Sequence, residues 1–291
     1  MSNPVFENSP YFGERRGTTP NGYPTHPGYT PSAGTTYPQQ PAVDPRQVQN
    51  LEYSYQQPAA GPAQTGRLTY DDVIVKTGGL LALVVAMGAL NWFVLGGNLI
   101  ATFGGLVVGL VLGLVNAFKR EPSPALIAGY AAAEGLFLGG ISMLFESLYP
   151  GIVLQAVLAT GATFVATLAL FSSGKIRVTP KMTRFVLIAL VGYALFSLVN
   201  VGIMLFGNND AAFGLRTSVE IMGIPLGVII GIFAVGLAAF CLIMDFDAIK
   251  RGVQAGIPSR YAWSAAFGLL VTLVWLYLEF LRLLAILRGG E

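Results

Sequence analysis

The sequence predicts an all-α fold, a polytopic membrane bundle of seven transmembrane helices preceded by a polar tail. Hydrophobic residues make up 54% of the 291 positions and charged residues only 11%. A soluble globular domain carries about 25% charged residues, so most of the surface of this chain faces something other than water. The apolar residues also lie in long stretches, which is typical of helices that cross a hydrocarbon core of about 30 Å.

Seven apolar stretches, each long enough for a membrane-spanning helix, follow one another within residues 69–291, which we interpret as one membrane domain. They lie at about 73–95, 98–118, 124–148, 151–173, 182–206, 223–248 and 263–287. Turn-forming segments such as Tyr149-Pro150-Gly151 separate them. In the second stretch Gly105, Gly109 and Gly113 recur every four residues, a spacing that lets two helices approach closely in lipid.

Residues 1–68 differ in composition from the rest of the chain. They contain most of the 17 prolines and several tyrosines, but no long apolar stretch. Such a segment buries too little apolar area to offset its conformational entropy, so it is predicted to be a disordered tail. Two interpretations stay open: a solvated tail, or a tail that docks onto an aromatic-lined protein partner.

Lysine and arginine are distributed unevenly among the predicted loops. The loops after the second, fourth and sixth spans hold nine of them: Lys119, Arg120, Lys175, Arg177, Lys181, Arg184, Lys250, Arg251 and Arg260. The loops after the first, third and fifth spans hold only Arg216. Because basic loops stay in the cytoplasm, the N-terminus and the tail are predicted to be cytoplasmic. Seven spans then place the C-terminus on the opposite side, and a miscounted span would reverse that end.

Composition also narrows the chemistry. The chain has one cysteine, Cys241, and one histidine, His26, which lies far from any apolar stretch. Most zinc sites and the Ser-His-Asp or Cys-His arrangements need a histidine near the reacting group, so we expect no enzyme of these kinds and no cofactor. Paired aspartates also occur in intramembrane proteases, but no second catalytic motif accompanies them here. A net charge of +2 is too small to favour a nucleic-acid partner.

The carboxylates in or near the predicted spans include Glu134, Asp245, Asp247 and Glu279. A charged side chain at a helix centre costs about 2.5–3.5 kcal/mol on insertion scales. Left ionised and unpaired, the four would cost on the order of 10 kcal/mol, which is comparable to the stability of a whole domain. They are therefore expected to be paired, hydrated or protonated, and each is a candidate functional residue.

Asp245 and Asp247 lie two positions apart, about 200° around a helix axis, so they face different neighbours. Asp247 has Lys250 and Arg251 three and four positions further on, which is the spacing of ion pairs on one helix face. A local ion pair is therefore its simplest interpretation. Asp245 has no such local partner, so we expect its charge to be paired by a residue of another helix, hydrated by water or neutralised by a proton.

Glu279, in the last span, has Arg282 three positions further on, and an ion pair within the helix is one interpretation. The other is that Glu279 faces Asp245 across the bundle. Two carboxyl groups in a low dielectric cannot easily both ionise, so they would share a proton and respond to pH. In the ionised state they would offer oxygen ligands suited to calcium. Both interpretations can hold together, with Arg282 tuning the pair.

Glu134 lies in the third span, about 15 Å along the helix from the basic end and therefore near the midplane. A carboxylate at this depth would line a polar path for an ion. The alternative is a structural hydrogen bond to Ser197 or Asn200 of another span.

The segments around the last two acids resemble those of a known family. Met244-Asp245-Phe246-Asp247-Ala248-Ile249-Lys250 resembles the aspartate motif at the end of the sixth span in the Bax-inhibitor family of transmembrane proteins. Leu276-Tyr277-Leu278-Glu279-Phe280-Leu281-Arg282-Leu283-Leu284 resembles its final helix, in which an acidic residue follows Leu-Tyr-Leu. The span count and Gly129-Tyr130 also fit. The likeness covers about residues 70–291, is strongest over 241–285 and favours the bacterial YccA-like branch.

The resemblance implies a central seventh helix and a carboxylate pair that senses pH, in a protein that leaks calcium across a bacterial plasma membrane. By position, Asp245 and Glu279 would be that pair and the calcium ligands. Lys119 or Arg120, at the basic end of the second span, would be the latch that holds the pair in the closed state. Two positions depart from the family. Its last-helix acid is aspartate where this chain has glutamate, and Asp247 stands where the family often has an amide.

Two functional hypotheses follow. The first is a pH-sensitive leak channel or carrier for a cation, with calcium as the expected ion. Its gate is the Asp245–Glu279 pair, with Asp247, Glu134 and Arg282 as auxiliary or ion-path residues. The second is a regulatory membrane protein that binds a protease or a stress-response component through its tail and moves no ion. Deleting the tail separates them, because a leak would survive the deletion.

Overall fold

The computed structural model describes residues 66–176, 178–206 and 213–289. The predicted tail lies outside these residues except for its last three positions. The elements are α1 (Tyr70–Ala89, continued by a π-helical turn at Leu90–Val94), α2 (Leu99–Phe118), α3 (Pro124–Leu148), α4 (Ile152–Ser172), α5 (Pro180–Phe206), α6 (Leu215–Ser218), strands β1 (Glu220–Ile221) and β2 (Ile224–Pro225), α7 (Leu226–Gln254), a 3₁₀ turn (Ser259–Tyr261) and α8 (Ala262–Arg288).

Seven of these helices are long and apolar enough to cross a bilayer: α1 with its π-helical turn, α2, α3, α4, α5, α7 and α8. The predicted all-α polytopic bundle and its seven spans are therefore confirmed. The main difference in bounds concerns α7, whose end the sequence predicts at 248 and the structure places at Gln254. Its 29 residues extend about 44 Å, beyond the roughly 30 Å hydrocarbon core, so its charged last turns project from the apolar layer.

Side chains in the connections satisfy the free backbone groups at the helix starts. The Thr69 hydroxyl accepts a hydrogen bond from the Asp72 amide at 3.1 Å, and the Asp72 carboxylate accepts from the Thr69 amide at 3.3 Å. This reciprocal capping box begins α1. Asn98 begins α2 in a similar way, because its side-chain oxygen accepts from two amides of the first turn.

Glycines allow α1, α2 and α3 to pack at short range. The predicted ridge of Gly105, Gly109 and Gly113 on α2 faces α3, and a Cβ at Gly105 would lie only 2.5 Å from the Ala133 carbonyl oxygen. On the other side of α3, a Cβ at Gly139 would overlap the backbone of α1. Close backbone approach of this kind is the usual way in which helices associate in lipid, where burial alone gives no driving force.

The π-helical turn at the end of α1 points one amide side chain into this three-helix contact. Asn91 is fully buried, and its Nδ2 donates to the Thr102 hydroxyl of α2 at 3.0 Å and to the Leu136 carbonyl of α3 at 2.6 Å. A buried amide is favourable only when it is hydrogen-bonded. Asn91 therefore joins α1, α2 and α3 near the end of the bundle opposite the basic loops.

The last helix is central, as the family resemblance implies. α8 is the most extensively buried of the seven spans and packs against α1, α3, α4 and α7. α7 runs antiparallel to it: Asp245 lies beside Thr272, and Gly231 lies beside Leu283. By contrast, α5 is the least buried span and presents most of its surface to the surroundings.

The short segment before α1 is attached to the connection between α7 and α8. Leu68 is 2% exposed, and its amide donates to the Ile257 carbonyl at 2.7 Å. The Ser259 amide donates to the Gly66 carbonyl at 2.8 Å. The folded bundle therefore includes residues 66–68, which closes its basic end.

Candidate functional site

Glu279 of α8 is the centre of a buried polar cluster. Its carboxylate is 1% exposed and accepts hydrogen bonds at Oε1 from Arg282 Nη1 at 3.1 Å, from Trp275 Nε1 at 3.2 Å and from the Tyr193 hydroxyl. Its second oxygen, Oε2, lies 3.8 Å from Nη1 of Arg216. We call these five residues the Glu279 cluster.

Local helix geometry accounts for two of the four partners of Glu279. Trp275 lies four positions before Glu279 and Arg282 three positions after it, so all three side chains share one face of α8. The predicted Glu279–Arg282 pair within the helix is therefore present. The other two partners come from outside α8, because Tyr193 is on α5 and Arg216 is on the short helix α6.

Arg216 is the least expected member, since it comes from a connection and yet is only 2% exposed. Its Nη2 donates to the Tyr193 hydroxyl at 3.0 Å and to the Ser197 hydroxyl at 3.3 Å. Its guanidinium also lies 5.4 Å and 5.5 Å from the ring centroids of Tyr193 and Phe196, within the range of a cation–π contact. The connection between α5 and α7 thus inserts a positive charge between α5 and α8.

Asn200 of α5 holds that connection in place. It is 5% exposed; its Nδ2 donates to the Phe213 carbonyl at 3.2 Å, and its Oδ1 accepts from the Leu215 amide at 2.8 Å. These two bonds fix the start of α6 against α5. Arg216 is the next residue, and it is therefore aimed at the centre of the bundle.

One contact in the cluster is loose. Arg216 Nη1 and Glu279 Oε2 are both buried, and neither has a hydrogen-bond partner among the described residues. They face each other at 3.8 Å, which is within ion-pair range but too long for a direct hydrogen bond. The Arg216–Glu279 contact is therefore electrostatic, and no hydrogen bond of Arg216 reaches the central helix in the described part of the chain.

Asp245 of α7 forms a separate site on the basic side of the midplane. The Thr272 hydroxyl of α8 lies 2.8 Å from Asp245 Oδ2 and 3.1 Å from the Gly268 carbonyl oxygen. A hydroxyl has one proton and two lone pairs. Thr272 can donate to an ionised Asp245, or it can accept from a protonated Asp245 and donate to Gly268. The Asp245–Thr272 hydrogen bond can therefore form in either protonation state of Asp245, while the bond to Gly268 forms only when Asp245 is protonated.

Asp245 and Glu279 are not in contact, so the structure contains neither the shared-proton pair nor the shared calcium site that the sequence predicts for them. The α7–α8 register is the reason: Asp245 lies opposite Thr272, and Glu279 lies seven residues further along α8. Seven residues are nearly two helical turns, so Thr272 and Glu279 share a face about 10 Å apart along the axis. Within the described ranges, no three acidic, histidine or cysteine side chains form a group that could hold a metal ion.

The predicted latch residues also lie away from these acids. Lys119 and Arg120 are exposed at the end of α2, and neither hydrogen-bonds to Asp245 or Glu279 in the structure. The reason is that α2 packs mainly against α3 and not against α7 or α8. Arg216 occupies the position against Glu279 that was expected for a latch.

The remaining acids behave differently from each other. Asp247 pairs with Arg251 at 3.2 Å on an exposed helix face, as its spacing predicts. Glu134 is 8% exposed and points at α2, where a Cβ at Gly109 would lie 2.9 Å from its Oε2. The expected hydrogen bond from Glu134 to Ser197 or Asn200 is absent, because those side chains bind α6 and the residues before it. A role for Glu134 in an ion path stays a prediction.

In the sequence, Arg216 is the single basic residue of the loops after the first, third and fifth spans, and the charge pattern assigns it no partner. Its isolation is nevertheless a usable signal, because a lone arginine next to spans that contain carboxylates is a candidate partner for one of them. Tyr193 carried no comparable signal, since tyrosines are common in spans.

The family described as Bax inhibitor 1 like matches residues 3–289. The search of curated proteins gave no match. The matched range includes all seven spans and the connection that carries Arg216, so it covers every element that positions Asp245 and Glu279.

Proposed function

This chain belongs to the Bax inhibitor 1 like family, and we propose that it is a pH-sensitive leak for cations, with calcium as the ion. Glu279 is the gate of this leak, and Arg216 is the group that closes it. Asp245 is a second carboxylate on the path, nearer the basic end of the bundle. The proposal extends the family's membrane character to a transported ion and a gating mechanism.

The observation that carries the proposal is the insertion of Arg216 against a buried carboxylate of the central helix. Ionisable side chains inside a membrane are costly and rare, and ion pathways are one of the functions for which they are retained. A purely structural Glu279 would be satisfied by Arg282 of its own helix. A second guanidinium from a connection between spans is more naturally explained by a segment that binds and leaves.

The charges in the cluster favour a closed state in this arrangement. Two guanidinium groups face one carboxylate, so an approaching cation meets net positive charge at short range, where the dielectric is low. Oε1 of Glu279 is occupied by three donors. Among the residues that the structure describes, Oε2 has no hydrogen-bond donor, but the Arg216 guanidinium lies 3.8 Å from it and repels a cation that approaches this oxygen.

Protonation of Glu279 would weaken this closure. A neutral carboxyl group loses most of its attraction for Arg216, and the 3.8 Å contact has no hydrogen bond to replace it. The remaining hydrogen bonds of Asn200 and Arg216 join α6 and the residues before it to α5, and none of them is to α8. α6 would then be free to move away from α8. The expected direction is therefore a larger flux as the pH falls.

Asp245 extends the path toward the basic end. Asp245 is on α7, but its hydrogen-bond partner Thr272 is on the same face of α8 as Glu279. Thr272 and Glu279 lie about 10 Å apart along the axis of α8. The Thr272 hydroxyl serves Asp245 in either protonation state. A cation that leaves Glu279 would bind the Asp245 carboxylate next. The distance that it travels without an oxygen ligand would therefore be shorter than the apolar layer.

The test is calcium flux into proteoliposomes that contain the full chain, measured across pH with an internal dye. Glu279→Gln removes the charge and keeps the shape, so we expect a raised flux at neutral pH and a flattened pH response. Glu121→Gln is the matched control, since it makes the same chemical change in an exposed ion pair with Arg260, outside the cluster and outside the spans. A Glu279→Gln protein with unchanged flux and unchanged pH response would refute the gate.

A further inference from the structure

A groove of about 560 Å³ runs between α1 and α4. α1 and α4 make no substantial contact with each other in the described bundle, and the floor of the groove is formed by α3 and the central helix α8. On α1 it extends from Thr77 to Phe93, and 16 rises of 1.5 Å place these two residues about 24 Å apart along the helix axis. It therefore follows most of the thickness of a roughly 30 Å hydrocarbon core.

The wall of the α1–α4 groove is almost entirely carbon. Of its few hydroxyls, Ser142 and Tyr277 bond to each other at 2.7 Å, and Thr160 donates to a carbonyl of its own helix. Only the Thr77 hydroxyl is buried without a partner. A buried water needs two to four polar partners, and apolar cavities of this kind stay dry.

The rim of the groove belongs to the surface that faces lipid. Val85 and Phe93 on the α1 side are 69% and 81% exposed, and Val157 on the α4 side is 51% exposed. All three lie on spans and are apolar, so they contact acyl chains when the bundle is in a bilayer. The groove is thus a lateral extension of the lipid-facing surface that reaches the central helix.

We propose that the α1–α4 groove binds one acyl chain of a phospholipid from the surrounding bilayer. An empty space would leave its wall atoms without van der Waals partners, and water cannot supply them. A flexible hydrocarbon chain of the bilayer has the matching chemistry, the matching direction and direct access between Val85 and Val157. Trp92 lies at the end of the groove opposite the basic loops, a depth at which tryptophan contacts headgroups, so the lipid belongs to that leaflet.

Gly161 of α4 gives a clean way to fill the groove. It lines the groove, and a Cβ at this position would meet no atom within 4 Å. Gly161→Phe therefore projects a ring into the groove without displacing the backbone. Gly192→Phe on α5 is the matched control, because that glycine is also helical with open space around it but lies outside the groove.

The experiment uses the full chain in phosphatidylcholine vesicles doped with a phosphatidylcholine that carries a diazirine in one acyl chain. After photolysis, mass spectrometry of the peptides locates the label. We expect labelling concentrated on the groove segments of α1 and α4, and a decrease of about tenfold there in Gly161→Phe, the change that about 1.4 kcal/mol of binding free energy produces. Gly192→Phe should label like the wild type, and Val157→Trp should repeat the loss.

Three results would overturn the proposal. One is even labelling over all lipid-facing helices of the wild type. Another is undiminished groove labelling in both filling variants. The third comes from native mass spectrometry of the detergent-purified protein. Either a retained free fatty acid or a dimer that Gly161→Phe abolishes would show that the groove binds something other than a bilayer phospholipid.

Discussion

Replacing Arg216 by glutamine tests the closure of the Glu279 cluster most directly. The change removes a buried guanidinium that bonds to Tyr193 and Ser197 and faces Glu279. Removing one partner of a buried ion pair destabilises by about 3–5 kcal/mol when the other charge is left alone. Here Arg282 still pairs with Glu279 at 3.1 Å, so the low end, about 3 kcal/mol, is the appropriate figure.

The effect on flux depends on whether the closed or the open arrangement loses the stabilisation by Arg216. If only the closed arrangement contains the Arg216 contacts, about 3 kcal/mol shifts the ratio of closed to open molecules by roughly a hundredfold. We therefore expect Arg216→Gln to raise calcium flux into proteoliposomes at neutral pH by up to that factor. The pH response should also weaken, since protonation of Glu279 no longer releases anything.

Arg288→Gln is the control for this prediction. Arg288 lies at the same end of the bundle and also loses two hydrogen bonds, to the Pro150 carbonyl and to Gln155, but it is outside the Glu279 cluster. Its flux should match the wild type. If Arg216→Gln folds, shown by a cooperative thermal transition, and its flux equals that of Arg288→Gln at every pH, the reasoning about closure is wrong.

Three further predictions concern packing, the second carboxylate and the tail. Gly139→Ala should lower the stability of the detergent-solubilised protein by about 1–3 kcal/mol, because the added Cβ overlaps the backbone of α1. In the control Gly104→Ala the added Cβ meets no atom within 4 Å, so the melting temperature should change little. Equal melting temperatures of the two variants would contradict the close packing at Gly139. Thr272→Val removes the hydroxyl from Asp245 and should destabilise by about 1.5–3 kcal/mol, so an unchanged thermal midpoint would show that water replaces it. Deleting residues 1–65 should leave calcium flux intact and abolish any interaction that depends on the tail; loss of flux in a folded protein would favour the regulatory hypothesis.

The sequence predicts the partners of the acids when they lie nearby on the same helix, but not when they come from a distant part of the chain. Asp247 and Arg251, or Glu279 and Arg282, are three or four positions apart, and helix geometry alone brings such side chains together. Arg216 reaches Glu279 from 63 positions earlier in the chain, through a connection whose path depends on Asn200. No local period encodes a contact of that kind, and the family resemblance points instead to Lys119 or Arg120 at the basic end.

The sequence by itself determined that this chain forms seven membrane helices, because each span has to satisfy its backbone internally and cover it with about 20 apolar residues. It also determined that the acids within those spans need partners. Only the tertiary structure decided which partners they have. The antiparallel register of α7 against α8 puts Asp245 beside Thr272 and two turns away from Glu279, since helix register depends on how side chains and glycines interlock across an interface, and hydropathy contains no information about that fit.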